Sequence, residues 1–344
     1  MGLPEIFIAF ETAAVTAIAR SARGVLAVAL AGEEGPSVTA YRTLAEVSEE
    51  DYSPADYRLL RLAFQAGPSR VLVLRAGGQE AEAFALLETA KYDWLAAPGL
   101  DQDKAISFIK GQRAKGVGVK LVTANALSPD HEGIVNLCAS DLVLADGPIE
   151  AGAYAVRVAG LLAALPLTRS ATYAQLPEVL SCAAVEDPDK AVDAGKLILV
   201  RGQDGYKLGR AVNSFVSTTV EKAAPFQKIK IMEGIDLIRT DIARAFENSY
   251  IGRVLNDYDN KLLLVTAINA YLHGLEGDVL DKTADNRCLI SLDGQRTYLE
   301  ARGTDTSGMK DAEILRANTG SEVYLDARLT FCDAMEDLFL HISM

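Results

Sequence analysis

Between residues 69 and 165, short apolar runs alternate with stretches of helical periodicity, and no other feature restricts the possible folds as strongly. The apolar runs resemble buried strands and cover residues 71–74, 92–96, 117–122 and 142–145. Helical stretches are predicted over residues 80–91, 101–114 and 150–165, and Asp101 is placed to cap the second. Strands that alternate with helices form a mainly parallel sheet covered by helices. We therefore predict an α/β region here.

The chain changes character after residue 195. Residues 196–217 favour strands, with turns at Gly202 and at Asp204-Gly205. A long amphipathic helix is predicted over residues 228–255, where apolar residues recur at spacings of three and four: Met232, Ile235, Ile238, Ile242, Ala245 and Phe246. The apolar periodicity then predicts a second helix over residues 260–275, with Leu264, Ala267, Ile268, Tyr271 and Leu275 buried.

Both ends of the sequence alternate apolar and polar residues with the period of a β-strand. Near the start, Ile6, Ile8 and Phe10 share one side. Near the end, the shared side carries Val323, Leu325, Leu329 and Phe331, and after Asp333 it carries Leu338, Leu340 and Ile342. A one-sided strand needs a sheet to join. Two interpretations remain open, an edge strand in the protein's own sheet and a strand lent to a neighbouring molecule.

Charge and cysteine content limit the expected partners. The 34 Lys and Arg residues against 47 Asp and Glu residues give a formal net charge of −13, which repels a phosphate backbone, so nucleic-acid binding is not expected. Residues 276–344 contribute 14 acidic and 7 basic side chains. The cysteines (Cys138, Cys182, Cys288 and Cys332) are scattered, which favours buried thiols over a zinc site. No apolar run is long enough to cross a bilayer and no basic n-region is present, so we expect a soluble cytoplasmic protein without membrane contact.

A search for catalytic motifs predicts no catalytic, cofactor-binding or metal-binding residue. Neither a P-loop nor a G-x-S-x-G nucleophile elbow occurs, and Gly116-Val117-Gly118 enters a predicted strand instead of leaving one. His131-Glu132 begins a near match to H-E-x-x-H, but Val135 stands where the second histidine should be, so we interpret His131 as an exposed loop residue. We therefore expect a protein that is not an enzyme. A soluble α/β enzyme or ligand-binding protein without a recognisable motif remains the alternative.

Three segments of the second half together resemble the sheath proteins of contractile phage tails and R-type bacteriocins. The segment 226–257 resembles their long helix and the turn that follows it. Residues 213–219 resemble the preceding strand, and residues 333–342 resemble their final strand. The resemblance covers residues 195–344 well and the N-terminal segment loosely. The presence of these segments in one chain favours the one-component phage or bacteriocin form over a two-chain secretion sheath.

The resemblance implies an α+β inner domain with an inserted α/β outer domain and extended β-strand arms at both termini. The expected domains are an N-terminal arm with first inner strands (1–30), an outer domain (31–195), a tube-facing core (196–321) and a C-terminal arm (322–344).

The resemblance also implies a structural subunit that forms stacked hexameric rings around a tail tube by strand exchange and contracts from a metastable extended state. The intersubunit contacts would be the one-sided residues of both arms, and Glu313, Asp333 and Glu336 are hypothetical contacts to the tube or to neighbours. Its partners would be copies of itself, the tail tube protein, and baseplate and tail terminator proteins. The protein would assemble in the bacterial host cytoplasm and then reside in a phage tail or bacteriocin particle.

Overall fold

A computed structural model describes residues 17–32 and 37–343. Ile6, Ile8 and Phe10 lie outside these described residues. The chain divides into two compact units, which we describe separately. The sheet unit contains residues 21–240 together with the segment from Asp333 onward, and the second unit contains residues up to Arg20 together with 241–332.

The sheet unit is built on a nine-stranded sheet in the order β2-β3-β1-β4-β5-β6-β11-β12-β9. The parallel strands are β1 (Val25–Leu30), β3 (Arg70–Arg75), β4 (Trp94–Ala96), β5 (Lys120–Ala124), β6 (Ile134–Cys138) and β11 (Lys196–Gly202). Antiparallel strands complete it: β2 (Ser37–Tyr41), β12 (Gly205–Leu208) and β9 (Gln175–Leu176). A separate small antiparallel sheet contains β7 (Leu142–Leu144), β8 (Gly147–Ile149) and β10 (Val179–Ser181).

Helices cover the main sheet, and its strands bury side chains on both faces. The helices are α1 (Pro54–Phe64), α2 (Glu80–Thr89), α3 (Gln102–Ala114), α4 (Ala151–Ala164) and α5 (Pro188–Asp193), with 3-10 turns at Leu44–Glu46, Glu49–Asp51 and Ala224–Gln227. Leu26 of β1 belongs to a core shared with α1 and α4, whereas Ala27 belongs to a core shared with α2 and α3. The near-continuous burial of β1 is therefore that of a central parallel strand.

The long helix α6 (Ile229–Ser249) begins in the sheet unit, and its residues from Asp241 onward belong to the second unit. The second unit also contains α7 (Tyr258–His273), β13 (Arg287–Ile290), α8 (Leu292–Ala301), α9 (Asp311–Arg316) and β14 (Leu325–Arg328). Strands β13 and β14 form a two-stranded antiparallel sheet. The apolar residues predicted for α7 are buried, including Leu264, Ile268 and Leu275.

The structure confirms the α/β class and most predicted elements, but it differs from the predictions in several places. The long helix predicted over residues 228–255 ends at Ser249, and residues 213–219, which resemble a strand, form none. Strand β6 was not predicted, because Gly133 and Asn136 interrupt its apolar pattern. Asn136 is nevertheless buried, since its side-chain amide accepts a hydrogen bond from the Ala126 N–H and donates one to the Ala126 carbonyl, both at 2.9 Å. Strand β7 was expected in the main sheet but pairs with β8 and β10, because the tight β7–β8 hairpin turns the chain back. Residues 338–342 were predicted as a strand but form none, since no strand of this chain pairs with them in the described residues.

The compact units divide the chain differently from the four predicted segments, whose domain roles stay predictions. Strand β1, from the segment predicted to hold the N-terminal arm and the first inner strands, is the third of the nine strands, between β3 and β4. Strands β11 and β12, from the predicted tube-facing core, extend the same sheet beyond β6. Strand β1 pairs with β3 and β4, β11 pairs with β6, and β12 follows by antiparallel pairing with β11, so all three strands belong to one sheet with residues 69–138.

Candidate assembly surfaces

The segment that follows β14 has two parts with opposite surroundings. We call residues 333–337 the tail root and residues 338–343 the tail tip. In the tip, the large apolar side chains are exposed: Leu338 by 86%, Phe339 by 94%, Leu340 by 72% and Ile342 by 72%. Four exposed apolar side chains in so short a segment are typical of an interaction surface.

The tail root is fastened to the sheet unit mainly through Glu336. The Glu336 side chain is only 7% exposed, and its Oε1 accepts hydrogen bonds from Thr172 Oγ1 at 2.6 Å and Ser170 Oγ at 2.9 Å. Its other oxygen lies 3.5 Å from Lys228 Nζ and 3.6 Å from Arg210 Nη1. One buried carboxylate thus joins the root to three separate segments of the sheet unit.

Ion pairs at the surface add to this attachment. Asp333 pairs with Lys228, and Asp337 pairs with Arg210 at 2.5 Å. Partial burial by itself would lower the pKa of Lys228, but Asp333 and Glu336 outweigh burial and raise it. The hydrogen bond that Arg210 donates to Asp337 is the main reason that the pKa of Arg210 is raised. Both cations therefore stay charged wherever the carboxylates are ionised.

The three acidic residues predicted to contact a tube or a neighbour lie in different surroundings. Glu313 is exposed in the first turn of α9, where its carboxylate accepts a hydrogen bond from the backbone N–H of Lys310 at 2.8 Å. Asp333 and Glu336 are instead paired with cations of their own chain. Glu313 is thus the member of this group whose carboxylate faces solvent without a cationic partner among the described residues.

The β13–β14 sheet contains the other predicted arm residues. Leu325 lies opposite Ile290, and backbone pairing continues past the strand, where Phe331 bridges to Leu280. Val323, Leu325, Leu329 and Phe331 are all half-buried within this chain. For residues 325–328 the structure therefore shows a strand of the protein's own sheet. In the described residues each of the two strands pairs with one other strand. Among these residues the second edge of β14 is free, whereas on β13 the N–H and C=O of Cys288 bond the Asn269 side chain at 2.7 and 3.0 Å.

A buried cluster of charges, which sequence reasoning missed, fixes the start of α6 within the sheet unit. Asp236 is 1% exposed and accepts two hydrogen bonds from Arg113, at 2.9 and 3.1 Å, and one from Lys120 at 3.2 Å. Glu233 extends the cluster, 2.9 Å from Lys120 Nζ and 2.6 Å from Arg23 Nη2. Burial alone would raise the pKa of Asp236, but Lys120 and Arg113 outweigh burial and lower it. The carboxylate is therefore held ionised in the interior.

Lys261 of α7 is a second buried cation that sequence reasoning missed. Its Nζ donates to Gln295 Oε1 at 2.6 Å and to Thr319 Oγ1 at 2.9 Å, with the carbonyl of Ala317 at 3.4 Å. Burial lowers the pKa of Lys261. These contacts join α7, α8 and the loop after α9 inside the second unit.

The histidines take structural or surface positions. His131 was expected to be exposed, but its side chain is only 20% exposed, and Nδ1 accepts a hydrogen bond from the Gly133 N–H at 3.0 Å. His273 lies at the end of α7, 2.8 Å from Glu276. In residues 17–32 and 37–343, no group of three or more His, Cys, Asp or Glu side chains is arranged to hold a metal ion. Within the same ranges, no helix has the length and apolar character needed to span a membrane.

Solved structures with this fold belong to contractile injection systems. The chain resembles the contracted helical sheath of the anti-feeding prophage, with a TM-score of 0.71 and 15% identity over 100% of this chain and 99% of that one. It resembles equally the contracted PVC sheath complex of an extracellular contractile injection system, with a TM-score of 0.71 and 12% identity over 100% of this chain and 98% of that one. At these identities the likeness establishes the fold, which is that of a sheath.

Sequence comparison then gives the family. The phage tail sheath C-terminal domain profile matches residues 221–288, which include α6 and α7. The tail sheath protein of Clostridium phage phiCD119 is 33% identical over an alignment of 365 residues that spans 100% of this chain and 99% of that protein. This chain belongs to the tail sheath protein family and is a structural protein of a contractile tail.

Proposed function

We propose that the chain polymerises into stacked hexameric rings around a tail tube, with subunits joined by strand exchange, and that contraction from a metastable extended sleeve drives the tube through a cell envelope. The observation that carries this proposal is the tail, in which an exposed apolar tip follows a firmly attached root. Among residues 17–32 and 37–343, no strand pairs with the tip. A second copy supplies one.

The proposed acceptor is the β13–β14 sheet of a neighbouring subunit. A two-stranded sheet is only marginally stable alone, and a strand added at the free edge of β14 would satisfy backbone N–H and C=O groups there. The outer edge of β13 is a poorer acceptor, because the Asn269 side chain already bonds the N–H and C=O of Cys288. The N-terminal segment with Ile6, Ile8 and Phe10 would add a strand in the same way. Backbone pairing depends little on side-chain detail, so such joints survive a change in subunit orientation.

The tail root would set the direction in which the tip leaves its subunit. Asp333 and Glu336 then act within the chain as anchors, and Glu313 remains the proposed contact to the tube or to a neighbour. The other proposed partners are the tail tube protein and the baseplate and tail terminator proteins. Assembly would take place in the bacterial host cytoplasm, before the sleeve enters a phage tail or bacteriocin particle. Contraction would need no nucleotide, because the extended sleeve already stores the free energy.

Polymerisation of a tip variant tests the proposal. Leu338, Leu340 and Ile342 would all be changed to serine, and sleeves would be counted by negative-stain electron microscopy and by sedimentation. We expect folded subunits that form no sleeves. The matched control changes three exposed apolar residues elsewhere to serine, Leu127, Leu180 and Val220, and should polymerise normally. Sleeves from the tip variant at the wild-type yield would contradict the proposal.

The position of a truncation sharpens the test. A chain that ends at Asp337 keeps β14 and the root, so it should remain folded but unable to polymerise. A chain that ends at Glu322 also loses β14, which pairs with β13 in this chain, and should destabilise the second unit as well. Circular dichroism and sedimentation of the two truncated chains would separate loss of assembly from loss of folding.

A further inference from the structure

A pocket in the sheet unit concentrates positive charge in a strongly acidic chain. It has a volume of about 490 Å³ and lies between α1, the turn that follows β2 and the β7–β8 hairpin. Arg42, Arg58 and Arg61 all line it. Neither the tail nor the β13–β14 sheet contributes to it, so the pocket is separate from the proposed assembly surfaces.

Arg58 is held in a fixed orientation. Its guanidinium group makes two parallel hydrogen bonds to Asp146, at 2.7 and 3.1 Å, and donates to the carbonyl oxygens of Gly147 at 3.0 Å and Pro148 at 2.9 Å. This pairing also neutralises Asp146. The hydrogen bond from Arg58 lowers the pKa of Asp146, and the nearby charge of Arg61 lowers it further.

The other two arginines have no such partner. Across the described residues, the side chains of Arg42 and Arg61 form no ion pair or hydrogen bond. The second carboxylate of the pocket, Glu178, is already neutralised, since it accepts from Arg157 Nε at 2.8 Å and from the Tyr154 hydroxyl at 2.7 Å. The pocket is therefore left with an excess of two positive charges.

Apolar side chains form the remaining wall. Leu62 and Leu144 are 7% and 3% exposed, and Leu44 and Phe64 are half-buried beside them. A cleft of this size with an apolar wall and a few converging polar groups is typical of small-ligand sites. The combination selects a ligand that is apolar at one end and doubly negative at the other.

We propose that this pocket binds a phosphate monoester with an apolar body. A phosphate monoester carries close to two negative charges near neutral pH, which match the two unpaired guanidinium groups. Guanidinium groups suit such anions because their N–H donors are spaced to bond two oxygens at once. The leucines and Phe64 would cover the apolar body of the ligand.

Isothermal titration of the full-length protein with phenyl phosphate tests this site. We expect saturable binding that weakens with added salt, and a loss of about tenfold in affinity for each of Arg42→Gln and Arg61→Gln, as expected for a charge-assisted hydrogen bond. Arg201→Gln, which removes an exposed arginine outside the pocket, is the matched control and should leave the affinity unchanged. Thermal melting of each variant would check that it is folded.

Two further ligands identify what the pocket recognises. Inorganic phosphate lacks the apolar body and benzoate lacks the second charge, so both should bind more weakly than phenyl phosphate. Equal binding of inorganic phosphate would overturn the role of the apolar wall. Binding of phenyl phosphate that neither arginine variant weakens, or no saturable binding in the millimolar range, would overturn the site itself. None of these outcomes depends on sleeve formation.

Discussion

Two groups of ion pairs, one around Asp236 and one around the tail root, use the same kinds of side chain. In sequence, Lys228 of the second group directly precedes α6, and Asp236 of the first group follows its first turn. Around Asp236, the carboxylate and its partners Arg113 and Lys120 are between 1% and 3% exposed. Around the tail root, the Asp337 and Arg210 side chains are 54% and 37% exposed. Removal of one partner from a buried ion pair strongly destabilises the fold, because the other charge stays buried without compensation. Water and salt weaken the attraction within an exposed ion pair. The first group thus fixes a helix, whereas in the second group only the pairs outside Glu336 are open to water and salt.

The largest expected effect is on the buried group. Asp236→Ala would remove the carboxylate that Arg113 bonds twice and would leave Lys120 with Glu233 alone, and we expect the free energy of unfolding to fall by about 3–5 kcal/mol. Urea unfolding followed by the fluorescence of Trp94 measures this, because the indole is buried with Lys120 Nζ 5.1 Å from its ring. Glu88→Ala, which breaks an exposed pair with Lys115, is the control and should have no measurable effect. Equal stability of Asp236→Ala and wild type would remove the distinction between the two groups.

The second largest effect is expected from acid, which should reduce the stability that the ion pairs around Asp236 contribute. The pKa of Asp236 in the folded chain lies below its ordinary value of 3.8, so the ionised carboxylate contributes stability above that value. This stability is lost as the pH falls through the lowered pKa. Urea unfolding of wild type at a series of pH values below 5 should show the loss, and Asp236→Asn should show a flatter dependence. Parallel curves for the two proteins would contradict this assignment.

A smaller and local effect is expected in the tail root. Glu336→Gln removes the buried charge that faces Lys228 and Arg210, and amide hydrogen exchange across residues 334–338 should accelerate about tenfold, or roughly 1.4 kcal/mol, as for a lost hydrogen bond to a charged group. Exchange in β1 should not change, because the root is not part of the main sheet. Acceleration in both places would mean that the root is necessary for the fold of the sheet unit.

The smallest effect is expected for Asp337→Asn. This exposed pair with Arg210 should contribute less than about 1 kcal/mol, and its contribution should vanish in about 1 M salt, where screening acts within about 3 Å. Hydrogen exchange of the root in low and high salt would compare wild type with the variant. A difference that persists in high salt would show that Asp337 acts through something other than its charge.

The sequence predicted the elements with strong periodicity and missed those defined by distant polar contacts. Asp101 was identified as the cap of α3, and its side chain does accept a hydrogen bond from the Lys104 N–H at 2.9 Å, because capping is decided within one turn. Asp236 could not be identified, since it lies 123 residues from Arg113 and 116 from Lys120. Nothing near a single aspartate in a helix indicates a partner in another element.

The candidate surfaces follow the same division. Alternation at Leu338, Leu340 and Ile342 predicted a one-sided strand, but the tip forms none in this chain, and Phe339 on the opposite side is as exposed as they are. The attachment of the root was not predicted, because Glu336 depends on Ser170 and Thr172, which are far away in the chain. The arginine pocket likewise combines a helix, a turn and a hairpin. Polar residues in separate elements carry no shared period, so their meeting becomes visible only in the folded chain.

The attachment of the tail root also orders events during biosynthesis. Translation proceeds from the N-terminus, so Lys228 leaves the ribosome well before Asp333, which follows 105 residues later. Arg210, Ser170 and Thr172 emerge earlier still. The sheet unit can therefore fold first and present a finished receptor to the root as it emerges. Under the proposed strand exchange, a nascent chain would have no tail tip to offer a neighbour, which would limit premature association between subunits made on one messenger.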